Sequence, residues 1–149
     1  CMGSIMEVPD EPYVLPLGIA EVKRSGSDVT VVALGRLVVD ALAAADELAK
    51  EGISLEVIDP RTLSPMDMTT ILTSVQKTSR AVVAHEAVRN CGVGAEIAAT
   101  IADEAFDFLD APVKRVGAPF TPVPFAPALE KEYLLGAQEI IDAVRSLYS

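Results

Sequence analysis

Residues Val29-Thr30-Val31-Val32-Ala33-Leu34 make an almost unbroken apolar, β-branched run, and no other segment limits the fold as strongly. A strand with one wet face alternates apolar and polar side chains. A run like this one fits a strand covered on both faces, as in a parallel sheet. Gly35 follows and permits a sharp turn. Leu37, Val38, Ala41, Leu42, Ala45, Leu48 and Ala49 then recur at helical spacing, with Asp40, Asp46, Glu47 and Lys50 on the opposite face. Gly52 supplies a left-handed stop, and 53–59 reads as the next strand. This is one complete strand–helix–strand unit.

The same grammar continues to the end of the chain. Ser64 is expected as an N-cap, with Pro65 at the first helical position and Asp67 at the third. Met68, Ile71, Leu72 and Val75 form the apolar stripe of that helix. A third buried-type strand spans 80–86. After the polar loop Arg89-Asn90-Cys91-Gly92, a helix is expected from about Val93 to Leu109, with Ile97, Ile101, Ala105 and Phe108 inward. A short strand follows at 113–116, then a proline-rich surface stretch from Pro119 to Pro127. A closing helix runs from Ala137 to Tyr148, with Ile140, Ile141, Val144 and Leu147 inward. Ahead of all this, 19–23 alternates and reads as an edge strand. Strands alternating with helices imply a mostly parallel sheet with helices on both faces.

The 149 residues suffice for one domain and one core. Residues 1–4 read as an appended remnant, and Pro9, Pro12 and Pro16 mark an extended arm. The expected division is therefore 1–15 remnant and arm, 16–149 folded unit. With half the residues apolar and 23% charged, intrinsic disorder is excluded. Lys plus Arg number 12 against 22 Asp plus Glu, a net charge of −10. That balance argues against a nucleic-acid or anionic-membrane partner, both of which need a basic face. No apolar run reaches the ~20 residues that span a bilayer. Cys1 and Cys91 make neither a disulfide framework nor a zinc site. With no export pattern at the N-terminus, the cytoplasm is the expected location.

Few residues carry chemistry. His85 and Glu86 end a strand where parallel sheets bind ligands, and a His beside a carboxylate can act as a general base. Neighbours on a strand point to opposite faces, however, so the two are not expected to work as a pair. His85, Glu86 and Arg89 are kept as loop or interface residues. Gly92-Val93-Gly94 before a helix invites an anion, but the dinucleotide fingerprint needs a third glycine and a distal acid that are missing. A tight turn is the simpler reading there and at Gly35. Cys91 lies near a helix N-terminus, which favours a thiolate, yet no Cys/His signature accompanies it. Asp103, Glu104, Asp107 and Asp110 form an acidic patch. It is either a solvated face or a docking surface for a basic partner. Nucleophile, base and oxyanion donors are nowhere assembled.

Five segments in order carry a resemblance. They are Ile58-Asp59-Pro60-Arg61-Thr62-Leu63-Ser64-Pro65-Met66-Asp67, His85-Glu86-Ala87, Gly92-Val93-Gly94-Ala95-Glu96-Ile97-Ala98, Phe108-Leu109-Asp110-Ala111-Pro112 and Pro122-Val123-Pro124-Phe125-Ala126-Pro127. From about Pro16 to its end the chain resembles the C-terminal domain of the β subunit of thiamine-diphosphate-dependent 2-oxoacid dehydrogenases, the transketolase C-terminal domain family. The resemblance implies a three-layer α/β/α fold on a five-stranded mixed, mostly parallel sheet, with the first strand antiparallel at an edge. It implies a parent reaction of oxidative decarboxylation of a 2-oxoacid with acyl transfer to lipoyl-lysine. Pyruvate, branched-chain oxoacids and acetoin all stay open as substrates. The thiamine diphosphate and magnesium of the parent belong to other regions, so no catalytic, cofactor-binding or metal residue is carried over to this chain. What the resemblance assigns to this part is assembly: pairing of β subunits, association with the α subunit, and docking of the small basic subunit-binding domain of the acyltransferase core. By motif the docking carboxylates fall on Asp110 and on the terminus at Ser149. Two other readings stay open. One is an independent doubly wound ligand-binding domain using the His85/Gly92 loop. The other is the same domain from transketolase or deoxyxylulose-phosphate synthase.

Overall fold

The computed structural model describes residues 10–148. Residues 1–4 and Ser149 lie outside them, and so does most of the expected remnant and arm. The described part of the arm, 10–15, carries neither helix nor strand and is exposed.

Five strands form one sheet: β1 (Glu21–Arg24), β2 (Val29–Ala33), β3 (Leu55–Asp59), β4 (Ala81–Val88) and β5 (Lys114–Ala118). Their spatial order is β1-β3-β2-β4-β5. β1 runs antiparallel to β3 at one edge, and the other pairings are parallel. The antiparallel edge strand and the parallel remainder are as the sequence and its resemblance imply. Every residue of β2 is buried, as are the first five of β4, because these central strands are covered on both faces.

Two helices pack on each face. α1 (Leu37–Lys50) is followed by α2 (Met68–Thr78), α3 (Val93–Glu104), the short α4 (Pro127–Tyr133) and α5 (Ala137–Arg145). α1 and α5 cover one face, where Leu37, Ala41, Leu48, Ile140 and Val144 meet Val29, Val31 and Val82. α2 and α3 cover the other, where Ile71, Val75, Ile97 and Ile101 meet Val32, Ile58 and Val83. Burying side chains of this size stabilises by about 1.5–3 kcal/mol each before the entropy of ordering is subtracted.

Three local expectations need correction. α2 is capped by Asp67, which accepts the Thr70 amide at 3.1 Å, and starts at Met68; Ser64 and Pro65 lie in the preceding turn. An ionised carboxylate is the stronger acceptor for orphan amides, and the Asp67 carboxylate also takes the Ala20 amide at 3.0 Å. α3 stops at Glu104 rather than running to Leu109. The chain tightens into a 3-10 turn, Phe106–Phe108, in which the Phe108 amide donates to the Ala105 carbonyl at 3.0 Å. That turn leaves Phe108 47% exposed, not inward. The third is the closing helix: α5 ends at Arg145 rather than Tyr148, although Leu147 is still buried. α4, with Pro127 in its first turn, falls between the proline-rich stretch and that helix.

Candidate functional site

The expected site residues fall at opposite ends of the sheet. At the carboxyl ends of β2 and β4 lie Gly35, His85, Glu86, Arg89 and the start of α3. At the amino ends of β4 and β5 lies Asp110.

At the carboxyl end one side chain is tightly packed. His85 is only 3% exposed and sits within β4, which continues to Val88. Its ring occupies the space that three glycines leave. A methyl group on Gly94 would lie 2.4 Å from Cδ2, one on Gly92 2.8 Å from Cε1, and one on Gly117 3.2 Å from Cε1. Neither ring nitrogen has a hydrogen-bond partner among the described residues. Burial pushes the imidazole below its ordinary pKa, the Ala87 backbone opposes that shift, and the Arg115 charge adds to it. The ring is thus packed against the first turn of α3.

Glu86 points the other way, as the alternation of a strand requires. It pairs with Arg36 at 3.1 Å. The same guanidinium donates to Asp40 at 2.8 Å and to the Leu135 carbonyl at 2.5 Å. Arg36 therefore ties β4, α1 and the approach to α5 together and has little left to offer a ligand. Gly35, at φ +61°, makes the turn that places Arg36 there. The carbonyl of Arg89 accepts from Arg115 at 3.1 Å. Cys91 is exposed, with φ +54°. Gly92 caps α3 without a side-chain hydrogen bond.

The amino end is built differently. The Asp110 amide donates to the Ser79 carbonyl at 2.9 Å, pinning the segment before β5 to the turn before β4. The Asp110 carboxylate, 59% exposed, lies 3.4 Å from Nη1 of Arg80. That guanidinium stacks on Tyr148, 4.6 Å from the ring centroid, and its Nε is buried with no partner among the described residues. Beside Asp110 a groove of about 820 Å³ runs between the end of α3 and the segment leading to β5. Asp103 and Glu104 at the end of α3 and Asp107 in the 3-10 turn are exposed. Asp107 and Asp110 border the groove.

Arg80 and the groove were not foreseeable as functional features. A basic residue opening an apolar strand reads as an ordinary boundary, and nothing in its neighbours announces partners at Asp110 and Tyr148.

Among the described residues no three His, Cys, Asp or Glu side chains gather to hold a metal ion. Nor is any helix among the described residues long and apolar enough to cross a membrane.

A five-stranded mixed sheet with one antiparallel edge and two helices per face defines a three-layer α/β/α domain. The chain belongs to the transketolase C-terminal domain family, whose model matches residues 18–140. It is 49% identical over 141 residues to the β subunit of acetoin:2,6-dichlorophenolindophenol oxidoreductase of Bacillus subtilis, covering 95% of this chain and 41% of that one. It is 46% identical over 141 residues to the β subunit of the pyruvate dehydrogenase E1 component of the same organism, covering 95% and 43%. A solved split-gene transketolase, described as an inactive β4 tetramer, superposes with a TM-score of 0.80 at 32% identity, covering 96% of this chain and 45% of that one. The chain thus spans less than half the length of these relatives.

Proposed function

We propose that this chain is the assembly and docking part of a 2-oxoacid dehydrogenase β subunit. In the parent enzyme, thiamine diphosphate and magnesium would supply the chemistry for oxidative decarboxylation of a 2-oxoacid with acyl transfer to lipoyl-lysine. This part binds no cofactor of its own. It pairs with a second β subunit, adjoins the α subunit, and docks the small basic subunit-binding domain of the acyltransferase core, in the cytoplasm. Support comes from the two β-subunit relatives and from the tetrameric neighbour.

The observation that carries the docking half is Asp110: a half-exposed carboxylate held by its own backbone on a surface of net negative charge. Charge-assisted hydrogen bonds from a partner's Arg or Lys would form there, speeding encounter and weakening with salt. Ser149, the second carboxylate the resemblance implies, lies outside the described residues.

Titration calorimetry of the chain with the small basic domain tests this reading. Asp110→Asn should weaken binding by about 2–5 kcal/mol if the contact is desolvated in the complex. Affinity unchanged by that substitution would remove Asp110 from the docking site.

A further inference from the structure

We infer that the first turn of α3, with Arg89 and Arg115 beside it, binds a phosphoryl group at the carboxyl end of the sheet. The inference goes beyond the docking reading, which uses the opposite end, and neither depends on the other.

The His85 ring carries it first. It is 3% exposed, and both of its nitrogens lack a hydrogen-bond partner among the described residues. Buried polar atoms are rarely left so. The ring is aimed at the start of α3: Nε2 lies 2.5 Å from where a Gly94 Cβ would stand and 3.1 Å from where a Gly92 Cβ would stand. The donors of that turn are unused too. Gly92 caps the twelve-residue helix without a side chain. The amides of Gly92, Val93 and Gly94 donate to nothing among the described residues, whereas Ala95 donates to the Gly92 carbonyl at 2.9 Å. Orphan amides at the positive end of a helix favour an anion. Residues 89–91 are exposed and Gly92 and Val93 half-buried, so the turn is reached from solvent.

The arginines point the same way. Arg24, Arg36, Arg61, Arg80 and Arg145 each meet a carboxylate. Arg89 and Arg115, the remaining two, meet none among the described residues, in a chain of net charge −10. They stand together, with Nη1 of Arg115 donating to the Arg89 carbonyl at 3.1 Å. The Arg89 stem and the His85 ring both flank Gly117, where a Cβ would lie 2.8 Å from Arg89 Cγ and 3.2 Å from His85 Cε1. Two guanidinia, three amides and an imidazole N–H suit the several oxygens and double charge of a phosphoryl group better than a carboxylate.

Titration of the full chain with inorganic phosphate, at one pH and constant ionic strength, tests this by NMR. Saturable shifts are expected at the Gly92, Val93 and Gly94 amides and at the His85 ring, with a Kd in the millimolar range or below. Arg89→Gln, at an exposed position that a thermal scan should show to be neutral for folding, should weaken binding roughly tenfold. Lys131→Gln, which removes an exposed cation from α4, should leave it unchanged. Acetate should bind far more weakly than phosphate. No saturable shift at this turn, or equal weakening by Arg89→Gln and Lys131→Gln, would overturn the site. Acetate binding as tightly as phosphate would overturn the phosphoryl assignment.

Discussion

At the carboxyl ends of β2 and β4 the ionisable side chains of Arg36, His85 and Glu86 are buried or held in short ion pairs; at the amino ends of β4 and β5 a carboxylate stays largely exposed with one loose cationic neighbour. Arg36 spends its guanidinium on Glu86, Asp40 and the Leu135 carbonyl. His85 fills a hollow shaped by three glycines. At the other end Arg80 keeps a buried Nε unpaired and meets Asp110 only at 3.4 Å, beside an open groove. Open parallel sheets bind ligands at the carboxyl end. In this chain His85 is buried at that end, while the roomier groove, of about 820 Å³, lies at the opposite end beside Asp110. A fold therefore says where sites of its class usually lie, and the side chains decide whether the place is used.

The largest effect should come from disturbing the carboxyl end. A methyl group on Gly94 would sit 2.4 Å from Cδ2 and 2.5 Å from Nε2 of His85, and 3.3 Å from Val83. Ring and helix cannot both stay in place, so Gly94→Ala should destabilise by about 1–3 kcal/mol, the usual cost of overpacking. Urea unfolding measures it. Ala102→Leu, on the open groove, should stay within about 0.5 kcal/mol of the parent. Equal losses at the two positions would mean that the groove, too, is structural.

A smaller effect follows from the state of the His85 ring. Its folded-state pKa is lowered from 6.5, chiefly by burial. Between that lowered value and 6.5 the unfolded chain binds more protons than the folded one, so stability rises with pH in this window. The contribution is complete above about pH 6.5 and is lost as pH falls through the window, at no more than ~1.4 kcal/mol per pH unit. His85 is the chain's single histidine, so the imidazole resonances in a proton NMR titration belong to it alone. The groups near it are the guanidinium of Arg115 on β5, which disfavours protonation, and Arg89 on the loop, whose stem packs on Gly117. A midpoint at or above 6.5 would show the ring to be solvated and the carboxyl end to be open.

How much of this contrast was readable in advance depends on which interactions are local. β2 and β4 are legible because their apolar runs leave only a doubly covered strand as an explanation. The turn at Gly35 and the stripe of α1 follow from the same short-range patterning. The end of α3 was not legible, because Ile97, Ile101, Ala105 and Phe108 keep helical spacing in the sequence while the backbone tightens after Glu104. Ser64-Pro65 imitates a helix start that Asp67 provides instead, since its carboxylate serves Thr70 and Ala20 together. Asp110 was nameable from its motif. Its hold on Ser79 and its nearness to Arg80 were not, because segments far apart in sequence meet only once the sheet has formed.

The smallest effect concerns Arg80, and it tests whether the open end is governed by charge. Its ion pair with Asp110 joins side chains 25% and 59% exposed, so it contributes under ~1 kcal/mol to stability. Stacking on Tyr148 at 4.6 Å adds roughly 0.5–1 kcal/mol. Arg80→Gln should therefore cost about 1 kcal/mol in urea unfolding, and Arg80→Lys somewhat less, because an ammonium keeps the charge and loses the flat face. The more telling readout is the rate of docking. Arg80 is the cation nearest the carboxylate that a basic partner seeks, and removing it makes the local field more negative. The small basic domain should then associate a few-fold faster at low salt, with the gain vanishing as added salt shortens the Debye length to a few Å near 1 M. Slower association by Arg80→Gln would mean that Arg80 serves mainly to hold Asp110 in position, and that geometry outweighs field at this end of the sheet.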